Sequence, residues 1–159
     1  MLSRSGQEHR CSTLSNHPPE RQLDFWLGDW DVTWGDGQRG GNHVVRILDG
    51  RAIQESFDGN PSVPFRGMSL SVYVEKLGRW RQTWVDSDGD YWAFEGGAEG
   101  EKMILATDDI ATGQPIVLRM IFHNIQQDGL DWRWEKPVDG GRVWEVRWEI
   151  HYRRRQTAG

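Results

Sequence analysis

The sequence predicts an all-β fold: a closed or nearly closed up-and-down antiparallel barrel of about ten strands, with a short N-terminal helix. Three observations carry this expectation. Ten tryptophans are spread through 159 residues, most of them at even spacings within short segments. In the C-terminal run, Trp144, Val146, Trp148, Ile150 and Tyr152 alternate with Glu145, Arg147, Glu149 and His151, and a period of two marks a strand with one apolar face. Six Asp-Gly pairs, at 36–37, 49–50, 58–59, 88–89, 128–129 and 139–140, cut the chain into strand-length pieces. Asp-Gly is a strong short-range hairpin signal.

The elements follow in order. Residues 1–18 are rich in Ser, His, Asn and Arg and read as a flexible leader, with residues 19–155 as one barrel domain. Pro19 suits a helix start, and Glu20 to Leu27 has room for one or two helical turns. Leu23, Trp26 and Leu27 fall at i, i+3 and i+4, a spacing that places them on one helical face to cap a barrel end. Gly28 ends that pattern, and Trp30, Val32 and Trp34 then alternate with Asp29, Asp31 and Thr33 as a first strand. Further strands are expected at 42–49, 51–58, 67–76, 79–87, 90–96, 101–107, 115–126, 130–136 and 142–153. A twisted sheet of that many strands leaves two exposed edges unless it closes. A two-sheet sandwich is the alternative arrangement.

Composition narrows the partners. The formal net charge is -5 and no basic stripe runs through the chain, which argues against nucleic acid. Arg153-Arg154-Arg155 reads as a solvated strand end. The single cysteine, Cys11, permits no internal disulfide, in keeping with a cytoplasmic location. Residues 1–17 contain no apolar signal core, and no run reaches the ~20 apolar residues of a membrane span. A mean hydropathy of -0.73 understates the core, because each buried Trp removes about 200 Å² from water.

Phe25-Trp26-Leu27-Gly28-Asp29-Trp30-Asp31-Val32 resembles the opening of a bacterial lipocalin-like family, a domain of unknown function among the calycin-type barrels. Gly78-Arg79-Trp80-Arg81-Gln82-Thr83-Trp84-Val85-Asp86 is similar to a later segment of that family. Gly41-Asn42, Gly67-Met68-Ser69, Phe94-Glu95-Gly96, Arg119-Met120 and the terminal Tyr152-Arg153-Arg154 follow in the same order. The likeness spans roughly residues 20–155. It implies a ligand-binding barrel without fixing a ligand or an activity. A related haem-binding branch uses a C-terminal histidine, which makes His151 a candidate axial ligand, although the glycine-rich N-terminal motif of that branch is missing.

Polar residues that share strand faces with large apolar ones are the candidate site. Trp80, Gln82, Trp84 and Asp86 alternate on one strand, Ile53, Glu55 and Phe57 on another, and Ser69, Ser71 and Tyr73 on a third. If the aromatic faces point inward, Asn42, Glu55, Ser69, Tyr73, Gln82, Trp84 and Trp134 enter the barrel together. A buried carboxylate needs a cation or a proton, and Arg119, on the face of Val117 and Ile121, is the expected partner of Glu55. Two readings stay open: a pocket for a small hydrophobic or aromatic molecule, or a filled interior in which a Glu55–Arg119 pair ties strands together. An enzyme of isomerase, cyclase or decarboxylase type is the alternative function, with Glu55 as acid or base and Arg119 or Tyr73 stabilising negative charge. A homodimer through an exposed Trp-rich face is a further expectation. No cofactor or metal is expected. Asp86-Ser87-Asp88-Gly89-Asp90 opens like a calcium loop but has Tyr91 where that loop needs Gly, so it reads as a hairpin turn.

Overall fold

The computed structural model describes residues 13–109 and 114–156. Cys11 and most of the expected leader lie outside the described residues. Ten antiparallel strands form one closed barrel in which each strand pairs with its sequence neighbours and β1 pairs with β10. The strands are β1 Gly28–Trp34, β2 Gln38–Ile47, β3 Ala52–Asp58, β4 Arg66–Val74, β5 Arg79–Asp86, β6 Tyr91–Glu99, β7 Lys102–Asp109, β8 Gln114–His123, β9 Gly129–Val138 and β10 Val143–Arg154. Every one of the ten expected strands is present. β2 starts four residues before the expected 42, running through Gly40 and Gly41, where missing side chains weaken the strand signal. Every Asp-Gly pair falls at a junction between successive strands.

The seam between β1 and β10 pairs Trp30 with Arg154 and Val32 with Tyr152. Below it lies the barrel floor. The expected helix at residues 20–27 is instead two 3₁₀ turns, Pro19–Arg21 and Asp24–Trp26. Their bonds run three residues back, from Gln22 N to Pro19 O and from Leu27 N to Asp24 O, both 3.2 Å. Eight residues between Pro19 and Gly28 are too few to favour a nucleated α-helix, and tertiary packing sets the geometry instead. The packing is dense: Leu23 and Trp26 are buried, Trp30 Nε1 donates to Trp26 O at 2.8 Å, and Trp80 Nε1 donates to Pro19 O at 3.0 Å. Arg154 lays its guanidinium 4.2 Å over the Trp30 ring and donates to Leu27 O at 2.6 Å, tying the last strand to the floor. The end of the leader is also attached. Leu14–Asn16 forms a 3₁₀ turn whose Ser15 N–H donates to Gly100 O at 3.0 Å.

The Asp86–Asp90 segment is a hairpin turn, as read. Asp86 Oδ1 accepts from the backbone N–H groups of Asp88 and Asp90 at 3.0 and 3.1 Å. The expectation for β10 needs correction. A β-bulge between Val146 and Trp148 leaves Arg147 unpaired, so Trp148, Ile150 and Tyr152 point inward while Trp144 and Val146 point outward. Among the described residues Trp144 is the one indole on the outer wall, and a Trp-rich outer face for dimer contact does not form. Among the described residues no helix is long and apolar enough to cross a membrane.

Gly96 exposes how closely β6 approaches β7. A Cβ there would lie 2.0 Å from the Ile104 carbonyl oxygen, which is backbone and cannot swing aside. Gly96→Ala is therefore expected to lower the urea midpoint, with a loss of about 2 kcal/mol or more. An unchanged midpoint would mean that the two strands are less closely apposed.

Candidate functional site

Inside the barrel the period of two brings one residue in two from every strand to the centre. Those residues leave a cavity of about 180 Å³ between the floor and the end opposite it. Trp26 and Phe122 lie at its base, against one another at 5.2 Å between ring centroids. Phe65 and Asp86 mark its mouth, at the ends of β4 and β5 nearest the β1–β2 turn. Between base and mouth runs a belt of touching rings. Trp132 stacks on Trp134 at 6.0 Å, Trp134 meets Trp92 edge-on at 6.0 Å, and Trp148 meets both Trp132 and Phe57 edge-on. Phe57, Phe65 and Trp84 complete the belt. Edge-to-face and offset-stacked pairs of this kind hold the rings in fixed planes.

Trp84 has a defined seat. Its indole N–H donates to Asp86 Oδ2 at 2.9 Å. Its ring lies across Gly67 on the neighbouring strand, where a Cβ would meet ring carbons at 2.0 Å. The Gly67–Met68–Ser69 segment is thus a glycine that admits the ring, an outward Met68, and an inward serine.

Polar groups converge on the wall at Glu55, in the middle of β3. Glu55 is only 6% exposed and lines the cavity. Ser69 donates its hydroxyl to Oε1 at 2.7 Å, and Asn42 donates its amide to Oε2 at 2.7 Å. The same Asn42 amide reaches the Tyr152 hydroxyl at 3.0 Å. Asn42 Oδ1 is buried without a hydrogen-bond partner among the described residues, and the Trp26 indole lies beside the Tyr152 hydroxyl. Gln82, one register position further, donates to Ser71 Oγ at 2.9 Å. Among the described residues no cation joins this cluster, and the two neutral donors do not offset the loss of water. Burial pushes the Glu55 carboxyl up from 4.5 to about 7, against the opposing pull of Ser69 and Asn42. Burial, followed by the Glu55 charge, also raises the Tyr152 phenol.

Of the residues predicted from sequence, Asn42, Glu55, Ser69, Gln82, Trp84 and Trp134 meet in or against this cavity. Tyr73 does not line it. It packs on Trp80 at 5.9 Å, toward the floor. Arg119 is the main correction. Met120 and Phe122 face the cavity, so period-two alternation turns Arg119 to the outer wall. There its Nε and Nη2 both donate to Glu135 Oε2 at 2.8 Å, and its guanidinium sits 3.7 Å over the Trp144 ring. The bulge in β10 creates that outer shelf by turning Trp144 away from the interior. No Glu55–Arg119 pair exists. Sequence reasoning missed Trp26, Trp92, Phe94, Trp132, Trp148 and Tyr152 as lining residues, although even spacing with named neighbours placed several on the same faces. His151 points outward and binds Asp131 at 2.6 Å, so the haem reading loses its axial ligand. Also on the outer wall, ligand atoms of His123, Asp131 and Glu149 lie within 4.8 Å of one another, with Arg133 at 3.7 Å from Glu149 as a protein counter-charge.

No protein-family model matches this sequence, and no curated protein matches it as a relative.

Two outcomes follow from these placements. Arg119→Ala strips the counter-charge from the buried Glu135, and is expected to cost about 2 kcal/mol, between the values for exposed and fully buried pairs. Denaturation should show that loss while the cavity tryptophans keep their near-ultraviolet dichroism. Glu55 gives a pH dependence of known sign. Between pH 4.5 and about 7 the folded protein holds a proton that the unfolded chain has released. This contribution to stability is complete below 4.5, declines as pH rises through about 7, and is then lost, amounting to about 3 kcal/mol. Glu55→Gln should therefore gain stability over the wild type at pH 8 relative to pH 5. A constant difference at the two values would place Glu55 in water.

Proposed function

We propose that the barrel is a lipocalin-like small-molecule binding protein, acting in the cytoplasm, that holds one compact apolar or aromatic ligand. The observation that carries this reading is the cavity of about 180 Å³ bounded by six indole rings. Size sets the ligand class. An apolar protein cavity of about 150 Å³ accepts a benzene ring, so this one suits a single ring or a small fused pair. Long acyl chains and macrocycles exceed it. Rigid indoles supply contact area at little entropic cost, and the few polar groups at Glu55 and Gln82 fix orientation.

A second reading is favoured by one feature. A carboxyl that titrates near neutrality on a cavity wall is placed to take up and return a proton. The enzyme envisaged from sequence also required a cation or phenol to hold negative charge. Arg119 is on the outer wall and Tyr73 outside the lining, which leaves Asn42, Ser69 and Tyr152 as the polar groups around Glu55. Binding is the better-supported function.

Quenching of tryptophan fluorescence by toluene and by indole tests it. Both should saturate, with dodecanoate inactive. Trp84→Ala should weaken the response by about tenfold, the equivalent of ~1.4 kcal/mol. Gly67→Ala, which displaces the same ring, should act in the same direction. Absence of saturable quenching by either compound would refute the binding reading.

A further inference from the structure

The charge pattern of the cavity deepens the binding reading, on which this inference rests. Two carboxyl groups line the cavity, Glu55 on its wall and Asp86 at its mouth. Among the described residues no Lys, Arg or His lines it. Two arginines at the floor are committed elsewhere. Arg154 lies over Trp30 with its donors on Leu27 and Gln127 carbonyls, and Arg46 pairs with Asp24. We infer that the natural ligand carries a basic nitrogen, and that the site selects a small aromatic ammonium, its ring among the indoles and its cationic head against Glu55.

First, the fold has already desolvated Glu55 without giving it a counter-ion among the described residues. The hydrogen-bond partners of its two oxygens are the neutral Ser69 and Asn42. A cationic ligand supplies the missing charge, and the desolvation cost of the carboxylate falls on folding rather than on binding. Second, the walls are π faces. Trp84, Trp92, Trp132, Trp134 and Trp148 surround the space, and the attraction of an ammonium to an indole face strengthens once water is removed. An anionic ligand meets both the negative ring faces and two carboxyls. Third, Asn42, which binds Glu55, keeps a buried acceptor, Oδ1, without a donor among the described residues, so the polar cluster adds negative rather than positive potential beside the cavity.

The groups that face Glu55 fix the pH behaviour. From β2 and β4 they are the non-titrating Asn42 and Ser69, and from β10 the Tyr152 phenol, which stays protonated. Glu55 is thus the group that titrates at the wall near neutrality. An aliphatic ammonium keeps its charge up to about pH 10. Affinity for the cation should therefore rise between pH 5.5 and 8, as the carboxyl ionises, while affinity for a neutral analogue stays level.

Three probes with one skeleton test the inference: 2-phenylethylamine, 2-phenylethanol and 3-phenylpropionate, each titrated by tryptophan fluorescence. At pH 8 the amine should bind at least tenfold tighter than the alcohol, and the carboxylate weakest. The amine's advantage should shrink severalfold at pH 5.5 in the wild-type protein, a readout that needs no variant. Glu55→Gln should erase the amine's preference over the alcohol at pH 8. An alcohol that binds as well as the amine at pH 8 overturns the inference and leaves the binding reading standing. Failure of all three probes while toluene still binds overturns the inference alone; their failure together with that of toluene overturns both.

Discussion

Closure of the sheet by the β1–β10 seam gives each strand one enclosed face and one wet face, and the two-residue period of a strand leaves no third choice. The rest of the molecule depends on that constraint. Once Trp30 pairs with Arg154 and Val32 with Tyr152, the remaining registers place Asn42 beside Phe57, Glu55 beside Ser69, and Ser69 beside Trp84. The carboxyl of Glu55 is carried inside because its neighbours Ile53 and Phe57 must be there. Its cost is tolerated because register delivers Ser69 from β4 and Asn42 from β2 with hydrogen-bonding groups aimed at opposite oxygens.

The aromatic belt follows from the same geometry. Indoles crowded onto the same inner wall cannot all lie flat, so they meet edge-on across strands, as Trp132 does with Trp148, or offset along one strand, as Trp132 does with Trp134. Rings locked in this way do not collapse into the centre, and the space between them persists. Gly67 contributes by what it lacks, since any side chain there would occupy the position of the Trp84 ring. A site results whose walls are apolar and whose polarity is concentrated at Glu55 and Gln82 on the wall and Asp86 at the mouth. Its charge is wholly acidic among the described residues.

Much of this was legible in the sequence, for a definite reason. Alternation is a local property, so Glu55 between Ile53 and Phe57, and Gln82 between Trp80 and Trp84, declare their side of the sheet without reference to distant residues. Asp-Gly pairs declare where strands end. What was not legible depends on exceptions to alternation or on contacts between elements. Trp144 and Val146 keep even spacing with Trp148, so nothing in the run betrays the bulge at Arg147 that turns them outward. The strand holding Arg119 is apolar on both faces, which hides its inward side, and the pairing of Arg119 with Glu135 is settled only by register with β9. The floor turns carry a helical spacing, yet packing around Trp26 fixes them as 3₁₀ turns.

The ionisation of Glu55 is the property from which the pH response and the ligand class both descend. Titration of that carboxyl by carbon-13 NMR, with the Glu55→Gln protein to identify its resonance, measures it directly. A midpoint near 7 in the ligand-free protein is expected. A midpoint near 4.3, the value of a carboxyl in water, would contradict a buried, uncompensated Glu55 and remove the basis for a cation-selective cavity.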